Sequence, residues 1–343
     1  MSLEIKKKAE GLTGLANLGN TCFMNTTLQC LSHTYKFNDF LDNSDNQKKI
    51  QKKPESLILM EWNKLRNMMW SEDCIISPGG FLGAVQKVAK IKKKMLFTGF
   101  AQNDLPEFLN FVIDCFHTSI MREVNMNING NIITNKDKIA KECFTMMKNM
   151  YKKEYSEVLD IFYGIHVSNT KGDDNNILGS NPEPFLMLDL PIPEIKESQQ
   201  LNITDCFDTY TNDEKLEDSE QYINSDGKRV LSKQILFWKL PDILIVTLKR
   251  FNNSAVKDDT FVHFPLENLD LSKYIIGYDK DSFKYDLYGI CNHRGGVCGG
   301  HYYAYVKTPN ESWYEFNDSS VKKIDISKNV SSEAYCLFYR KKK

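Results

Sequence analysis

The chain has 343 residues, which is enough for one large domain or two ordinary ones with a sizeable core. Its 44 Lys and Arg residues balance its 45 Asp and Glu residues, which argues against a dedicated nucleic-acid-binding protein. The nine cysteines follow no disulfide-scaffold spacing, and the sequence shows neither a signal peptide nor an apolar run long enough for a bilayer. We therefore expect reduced thiols and a cytoplasmic or nuclear protein without membrane association.

The first part of the chain has the apolar periodicity of helices. Helices are predicted from about residue 22 and within residues 56–70, 103–117 and 138–151. In the second of these, one face is expected to belong to the core, and it carries Leu57, Met60, Leu65 and Met68. In the third, Pro106 falls in the first turn, where proline is tolerated, and the apolar stripe consists of Leu105, Phe108, Leu109, Val112 and Phe116.

From about residue 161 the pattern changes to short aromatic and β-branched segments, which indicate strands. These segments include PFLMLDLPIP, ILFWKLPDILIVTLKRF, YDLYGICNH, HYYAYVK, SWYEF and YCLFYR. The acidic stretch 211–228 is expected to be a surface excursion between strands. Helices followed by strands predict an α+β fold.

A cysteine lies at the predicted start of the first helix, in LANLGNTCFMNTTLQCL. Thr21 is the predicted N-cap, which places Cys22 in the first turn, where the helix dipole favours an anion. A thiolate is such an anion, and cysteines at helix N-termini tend to have lowered pKa values. A packed, buried thiol is the alternative, and these residues alone do not decide between a nucleophile and a core side chain.

A nucleophilic cysteine needs a base, and His301 is the candidate among the six histidines. It lies at the first position of an aromatic strand, after a loop in which Gly299 and Gly300 would let a substrate backbone approach closely. Asn317 and Asp318 follow on what is predicted to be the neighbouring strand. An Asn or Asp commonly orients the second ring nitrogen of a base histidine.

A zinc site is the alternative interpretation of the same region. Its ligands would be Cys291, His293, Cys298 and His301, whose spacing superficially suits the metal. Alternate residues of a strand face opposite ways, and a loop with four glycines is a poor clamp for tetrahedral ligands. The sequence therefore favours the catalytic interpretation.

Two segments resemble signature motifs of the ubiquitin-specific proteases, a family of papain-like cysteine peptidases. GLANLGNTCFMNTTLQCL resembles the family's cysteine box, and GGHYYAYVK followed by WYEFNDSSV resembles its histidine box. The intervening blocks also match in the family's order, namely QNDLPEFLNFVIDCFH, YSEVLDIFYG, EPFLMLDLPIP, LPDILIVTLKRF, VHFP and AYCLFYRK. The resemblance covers about residues 12–341.

The resemblance implies an α+β, papain-like fold with thumb, palm and fingers. Residues 1–11 would be an N-terminal tail and residues 12–341 a single catalytic domain, with the thumb at about 12–155 and the fingers and palm at about 156–341. The implied activity is thiol-dependent hydrolysis of isopeptide or peptide bonds at the C-terminal glycine of ubiquitin, without a cofactor. Ubiquitin and ubiquitinated proteins are the implied partners, neither nucleic acid nor membrane is, and the chain is expected to be a monomer.

Two other functions remain open from the sequence. One is a thiol hydrolase of the same fold that acts on a ubiquitin-like modifier. The other is a catalytically inactive ubiquitin-binding module, which is disfavoured because the candidate nucleophile, base and orienting residues are all present.

By their positions in the motifs, Cys22 matches the family's nucleophile, His301 its general base and Asn17 the side chain that donates to the oxyanion. Without the resemblance, Asn17 would be interpreted as a loop residue that hydrogen-bonds its own turn. Asn317 matches the position that orients the base, and Asp318 the acidic position that follows it. Because adjacent strand residues point to opposite faces, we expect Asn317 to orient His301 and Asp318 to assist near the oxyanion or a water.

Four further residues are assigned to substrate binding, namely Asp104, Glu107, Gly299 and Gly300. Asp104 and Glu107 have the spacing of a capping box before a helix, and the resemblance implies that they also bind the arginines of the ubiquitin tail. Loops 252–260 and 294–300 correspond to the family's loops that gate the channel for this tail.

The sequence departs from the family at the fingertips. Many members carry two Cys-x-x-Cys pairs there, which hold a structural zinc ion. The corresponding stretches of this chain, HVSNTKGDDNN and QYINSDGKR, contain no cysteine. We therefore expect no metal.

Overall fold

The computed structural model describes residues 10–173, 176–194, 200–296 and 299–342. Residues 1–9 of the expected tail lie outside the described residues, and so does Cys298 of the zinc alternative. Within the described ranges, no helix combines the length and apolarity that crossing a membrane requires.

The described residues form helices mainly in the first part of the chain. In chain order they are α1 Cys22–Ser32, α2 Tyr35–Asp42, α3 Ser44–Gln47, α4 Ser56–Met69, α5 Gly79–Ile91, α6 Leu105–Ile120, α7 Asn135–Glu154, α8 Glu157–Phe162, α9 Ile203–Thr211 and α10 Ile326–Asn329. The four helices predicted from periodicity are confirmed as α1, α4, α6 and α7.

Strands dominate the chain after residue 163, as the sequence predicted. In chain order they are β1 Gly14–Leu15, β2 Ile75–Ile76, β3 Gly164–Lys171, β4 Ile177–Phe185, β5 Met187–Leu190, β6 Leu201–Asn202, β7 Glu214–Lys215, β8 Tyr222–Ile223, β9 Arg229–Val230, β10 Ser232–Lys239, β11 Ile243–Leu248, β12 Val262–His263, β13 Leu269–Asp270, β14 Lys284–Gly296, β15 Gly299–Lys307, β16 Trp313–Asn317, β17 Ser320–Ile324 and β18 Ala334–Lys341. The α+β architecture is confirmed. His301 is the third residue of β15 and not the first, because the strand already begins at Gly299.

The chain divides into two compact units. The first comprises Met1–Ile120, Arg250–Asp259 and Leu287–Phe338. The second comprises Met121–Lys249, Thr260–Asp286 and Tyr339–Lys343. Every candidate site residue belongs to the first unit.

In the first unit, β17, β16, β15, β14 and β18 are neighbours in this order in one sheet. Helix α1 packs against β15. All residues of α1 are buried, polar ones included, and a helix buried on every side belongs to the centre of a core. The nucleophile candidate therefore lies on a rigid element next to the strand that carries the base candidate.

The core face predicted for α4 is wrong at Met60 and Met68, whereas Leu65, at 3% exposed, is buried as predicted and Leu57 is half-buried. Met60 and Met68 are 44% and 47% exposed, whereas Leu59, Trp62 and Met69 are at most 1% exposed. The segment begins with a nearly continuous apolar run, LILMEW, so more than one stripe fits a helical period. The stripe with the tryptophan buries more apolar surface, which explains why it faces the core.

The stripe predicted for α6 is confirmed. Its apolar residues are at most 1% exposed, and they are Leu105, Phe108, Leu109, Val112 and Phe116. Pro106 is the second residue of the helix, where its missing N–H removes no intrahelical hydrogen bond. Helix α6 thereby holds the residue just before it, Asp104, in a fixed place.

The second unit contains the antiparallel sheet β4-β3-β10-β7 and the parallel pair β5–β11. Helix α7 packs on the sheet β4-β3-β10-β7. The core cluster between them includes Ala140, Cys143, Ile165, Val167 and Trp238. Stretch 211–228, predicted as a surface excursion, follows α9 and contains only the short strands β7 and β8, whose residues are exposed.

Candidate active site

The loop before α1 fixes the orientation of the Asn17 amide. Asn17 Oδ1 accepts hydrogen bonds from Gly19 N at 3.0 Å, Thr21 N at 3.2 Å and Thr21 Oγ1 at 3.3 Å. Gly19 has φ of +101°, a conformation that glycine adopts without strain and that lets the loop turn this tightly. The oxygen Oδ1 of Asn17 therefore hydrogen-bonds its own turn, as the sequence alone suggested. The amino group Nδ2 takes no part in these hydrogen bonds and is available to other partners.

Cys22 is the first residue of α1, as predicted, and it is 3% exposed. Thr21 occupies the N-cap position, but its hydroxyl makes no cap hydrogen bond because it accepts one from Leu18 N at 2.9 Å. The expectation of a lowered pKa is wrong for this state of the protein. Burial raises the pKa of the Cys22 thiol, hydrogen bonding to the backbone of Tyr302 and Phe23 opposes that shift, and the charge of Asp318 adds to it.

His301 lies beside Asn317. Its Nε2 is 2.7 Å from Asn317 Oδ1. An amide oxygen only accepts hydrogen bonds, so Nε2 carries the proton and the lone pair of the neutral ring lies on Nδ1. Within the described ranges, no hydrogen bond joins the imidazole to Cys22 Sγ. The backbone of the next residue, Tyr302, is hydrogen-bonded to that thiol.

Asp318 makes contacts different from those of Asn317. Its Oδ2 accepts a hydrogen bond from Asn17 Nδ2 at 2.9 Å, and its Oδ1 accepts one from Asn25 Nδ2 at 2.8 Å. Asp318 follows the last residue of β16 and has φ of +49°, so it belongs to the turn before β17 and not to a strand. The turn points its carboxylate at the loop before α1, while Asn317 faces the imidazole.

Asn25 is a site residue that the sequence did not reveal. It lies in α1 three residues after Cys22, is 1% exposed, and also donates to the backbone oxygens of Leu15 and Ala16 at 3.2 and 3.3 Å. The sequence carried no signal for it, because Asn25 is followed by the polar residues Thr26 and Thr27 and its burial is seen only in the structure.

The atoms around Gly300 leave no room for a side chain at this position. A Cβ on this residue would lie 2.2 Å from His293 Nε2 and 2.9 Å from Arg294 O. The amide of Gln102 pairs with the Gly300 backbone, accepting from N at 3.1 Å and donating to O at 3.0 Å. At Gly299, by contrast, a Cβ would meet only Gln102, at 4.0 Å, so that position has room for a neighbour.

His293 is a buried neutral histidine next to the candidate base. Its ring centroid is 4.5 Å from that of Tyr302. Burial and the nearby charge of Lys257 lower the pKa of His293 to about 4. It is therefore uncharged at neutral pH and packs as part of the wall of the site.

Asp104 lies at the start of α6 and faces two tyrosines. Its Oδ1 accepts hydrogen bonds from the hydroxyls of Tyr302 at 3.0 Å and Tyr335 at 3.1 Å. Desolvation of the carboxyl by the surrounding protein raises the pKa of Asp104, against the effect of these hydrogen bonds, although the residue as a whole is exposed. Glu107, the other substrate-binding candidate, lies in the first turn of α6 and is exposed as well.

A cavity of about 320 Å³ opens beside the thiol. Its lining includes Cys22, Gln102, Asp104, His293, Gly300 and Tyr302. Cys22 and Asp104 thus line one cleft. The oriented imidazole of His301 and the fixed amide of Asn17 lie outside its lining, and His301 immediately precedes Tyr302, whose backbone is hydrogen-bonded to the thiol. This combination suits acyl transfer at a carbonyl group.

Three of the four residues of the zinc alternative, Cys291, His293 and His301, lie within the described ranges. Among the described residues, no group of three or more His, Cys, Asp and Glu side chains is placed to hold a metal ion. In the strand pair β14–β15, His293 lies opposite Tyr302 and His301 opposite Arg294.

Comparison with known proteins shows the family to which the chain belongs. A family model described as ubiquitin carboxyl-terminal hydrolase matches residues 13–339. The chain belongs to the ubiquitin carboxyl-terminal hydrolase family. The resemblance found in the sequence is thereby confirmed.

Curated relatives match nearly the whole chain. Ubiquitin carboxyl-terminal hydrolase 2 from Homo sapiens is 32% identical over 345 residues, which cover 97% of this chain and 56% of that protein. The protein of the same name from Gallus gallus is 33% identical, with 97% of this chain and 94% of that protein covered. The chain spans about half the length of the human relative.

Solved structures with the same fold include Ubp8 in the SAGA DUB module bound to ubiquitin aldehyde. The TM-score is 0.75 at 25% identity, and the match covers 100% of this chain and 72% of that one. Another Ubp8-Sgf11-Sgf73-Sus1 structure matches with a TM-score of 0.69 at 26% identity, covering 97% and 68%. The papain-like α+β fold that the resemblance implied is confirmed.

Proposed function

We propose that this chain is a thiol-dependent deubiquitinase, which hydrolyses isopeptide or peptide bonds at the C-terminal glycine of ubiquitin. The observation that carries the proposal is the division of contacts in the site, in which Asn317 holds His301 and Asp318 holds Asn17. Membership of the ubiquitin carboxyl-terminal hydrolase family and the likeness to Ubp8 bound to ubiquitin aldehyde support ubiquitin as the substrate.

In this proposal Cys22 is the nucleophile and His301 the base. Because burial raises the pKa of the thiol, Cys22 is protonated at rest and needs a base to become a thiolate. The lone pair of His301 lies on Nδ1, since Nε2 donates to Asn317. Catalytic hydrogen bonds are often long in free enzymes, and we expect substrate binding to bring Nδ1 and Sγ into contact.

The reaction then follows acyl transfer. The Cys22 thiolate attacks the carbonyl of the terminal glycine, and His301 gives the proton it took from the thiol to the leaving amine. The product is a thioester between ubiquitin and Cys22. Water, deprotonated by His301, attacks the thioester and releases ubiquitin with a free carboxylate, which restores the thiol.

Asn17 is assigned to stabilising the oxyanion. One N–H of its Nδ2 donates to Asp318, and three hydrogen bonds to Oδ1 prevent the amide from turning over. The second N–H remains to donate to the tetrahedral intermediate. A fixed donor of this kind contributes about 3–4 kcal/mol in other hydrolases.

Asp104 is the proposed contact for an arginine of the ubiquitin tail. It lines the cavity, and its Oδ1 is already occupied by two tyrosine hydroxyls. A guanidinium that approached Oδ2 would form a charge-assisted hydrogen bond and would favour the ionised carboxylate. The exposed Glu107 offers a second negative charge for the same tail.

The experiment is hydrolysis of lysine-linked diubiquitin by the purified chain, with release of monoubiquitin as the readout. We expect turnover by the wild-type chain and none by Cys22→Ser. Cys143→Ser is the matched control, because this cysteine is buried in the second unit and should leave turnover unchanged. Turnover that survives Cys22→Ser would contradict the proposal, and so would a folded wild-type chain that cleaves only a ubiquitin-like modifier.

A further inference from the structure

A second cavity of about 700 Å³ lies in the first unit, and none of the proposed catalytic residues lines it. Its walls come from α2, from the end of α4 and from the turn after β15. The residues that matter for its chemistry are Glu10, Tyr35, Asp39, Asp42, Arg66 and Trp70. A volume of this size holds an amino-acid side chain with room to spare.

Two aromatic rings form a corner of this cavity. The ring centroids of Tyr35 and Trp70 are 6.2 Å apart, with an angle of 77° between the ring planes. The indole N–H of Trp70 donates to Ser32 Oγ at 2.8 Å, which fixes the ring. Faces of aromatic rings carry partial negative charge and attract cations, tryptophan most strongly.

The cavity has an excess of negative charge. Arg66 is buried and its guanidinium forms a salt bridge with Asp42, so these two charges compensate each other. Asp39 is exposed and has no ion pair within the ranges that the structure describes. Glu10 accepts a hydrogen bond from Asn310 Nδ2 at 2.9 Å, which leaves its charge uncompensated. Among the residues that the structure describes, two carboxylates of the cavity thus have no cationic partner.

Asn38 places a buried hydrogen-bond acceptor in the wall of this cavity. Asn38 lines the cavity and is 8% exposed. Its Nδ2 donates to Ser32 O at 2.7 Å, whereas its Oδ1 accepts no hydrogen bond from the described residues. Buried acceptors are normally satisfied, and because Oδ1 has almost no exposed surface, an N–H donor of a ligand would satisfy it only after the Asn38 side chain turned toward the cavity.

We propose that this cavity binds a basic side chain, lysine or arginine, of a peptide segment in a partner protein. The aliphatic stem would pack against Tyr35 and Trp70, and the charged end would reach Asp39 and Glu10. This binding site is separate from the cleft at Cys22, and it does not depend on the proposed hydrolase activity.

The test is calorimetric titration of the full chain with acetylated, amidated tri-lysine and tri-arginine peptides. A tri(acetyl-lysine) peptide of the same length is the neutral control. We expect binding of at least one cationic peptide, no binding of the neutral one, and weaker binding as salt is raised. Asp39→Asn should weaken the affinity about fivefold, the upper range for an exposed charge pair.

Asp45→Asn is the matched control variant, because Asp45 is an exposed aspartate of α3 outside the cavity lining. It should leave the affinity within about twofold. Equal effects of the two variants, or equal binding of the neutral peptide, would overturn the proposal. It would also be overturned if peptides bound only after Lys6, Lys7 and Lys8 were changed to alanine, because the ligand would then be this chain's own N-terminal segment.

Discussion

The contacts of Asp318 predict that it acts through Asn17 and not through His301. The perturbation is Asp318→Ala, made both in the wild-type chain and in Asn17→Ala. In the wild-type chain, removal of the carboxylate breaks the 2.9 Å hydrogen bond that holds Asn17 Nδ2. The amide then loses its fixed direction toward the oxyanion.

The size of the effect follows from the oxyanion contribution. Loss of one preorganised donor lowers kcat by about 100- to 1,000-fold, or about 2.7–4 kcal/mol. Asn17→Ala should show this loss in full, and Asp318→Ala most of it. Because both changes remove the same interaction, Asp318→Ala should cost less than about tenfold in the Asn17→Ala background. The coupling energy between the two sites is then about 2 kcal/mol.

The assay is steady-state cleavage of ubiquitin that carries a fluorogenic amide at its C-terminal glycine. Asn317→Ala is the control, because Asn317 contacts His301 and its loss should add to that of Asn17→Ala nearly in full. Full additivity of Asp318→Ala and Asn17→Ala would refute the reasoning. Melting temperatures of all variants separate catalytic losses from unfolding, since Asp318 also accepts from Asn25.

Three further predictions concern residues around the same cleft. Asn25→Asp places a carboxylate 2.8 Å from that of Asp318, so the pair should share a proton and kcat should recover as the pH falls from 8 toward 6. The pKa of His293 is lowered from 6.5 to about 4, so between these pH values the unfolded chain binds a proton that the folded chain does not. The free energy of unfolding should therefore fall by up to about 3 kcal/mol as the pH drops through this window, and His293→Gln should remove that part of the slope. Gly300→Ala, whose Cβ would lie 2.2 Å from His293 Nε2, should abolish turnover and cost about 1–3 kcal/mol of stability.

Each of these predictions has a control. Asn25→Ala removes the same hydrogen bond without adding a charge, so a pH profile equal to that of Asn25→Asp would contradict the first. Urea unfolding at several pH values between 7 and 4 checks the second prediction. That prediction fails if His293→Gln leaves the pH dependence of the free energy of unfolding unchanged. Gly83→Ala, on an open face of α5 with no atom within 4 Å of the added Cβ, controls for the third. A fully active Gly300→Ala would contradict the third prediction, because it would show that His293 moves to accommodate the added Cβ.

The helices show which buried faces can be predicted from the spacing of apolar residues. The stripe of α6 was predictable because its five residues stand at helical spacing, although Phe111, Ile113 and Cys115 are buried as well and the buried surface is wider than that stripe. The face of α4 was not, because its first six residues after Ser56 include five large apolar side chains and tertiary packing chose among the stripes. Helix α9, with its capping box between Asn202 and Asp205, lies within a region of strands and was not predicted from its short apolar pattern.

The identity of a site residue was predictable where a sequence motif includes it. Contacts between site residues were not predictable, because they depend on the fold. Cys22, His301 and Asn317 came from the motifs, and the structure brings the last two together. The contacts of Asp318 with Asn17 and Asn25 join residues about 300 positions apart, which only the fold can bring together. The raised pKa of Cys22 also could not be predicted, because a helix N-terminus lowers a thiol pKa and only the structure shows that burial outweighs it.

The central claim is that Cys22 is the nucleophile of a chain that recognises ubiquitin. The most direct measurement is the intact mass of the purified chain after incubation with ubiquitin that carries a cysteine-reactive group in place of its terminal carboxylate. The account predicts an adduct of one ubiquitin that is absent in Cys22→Ala. An adduct that persists in Cys22→Ala, or a folded wild-type chain that forms none, would contradict it.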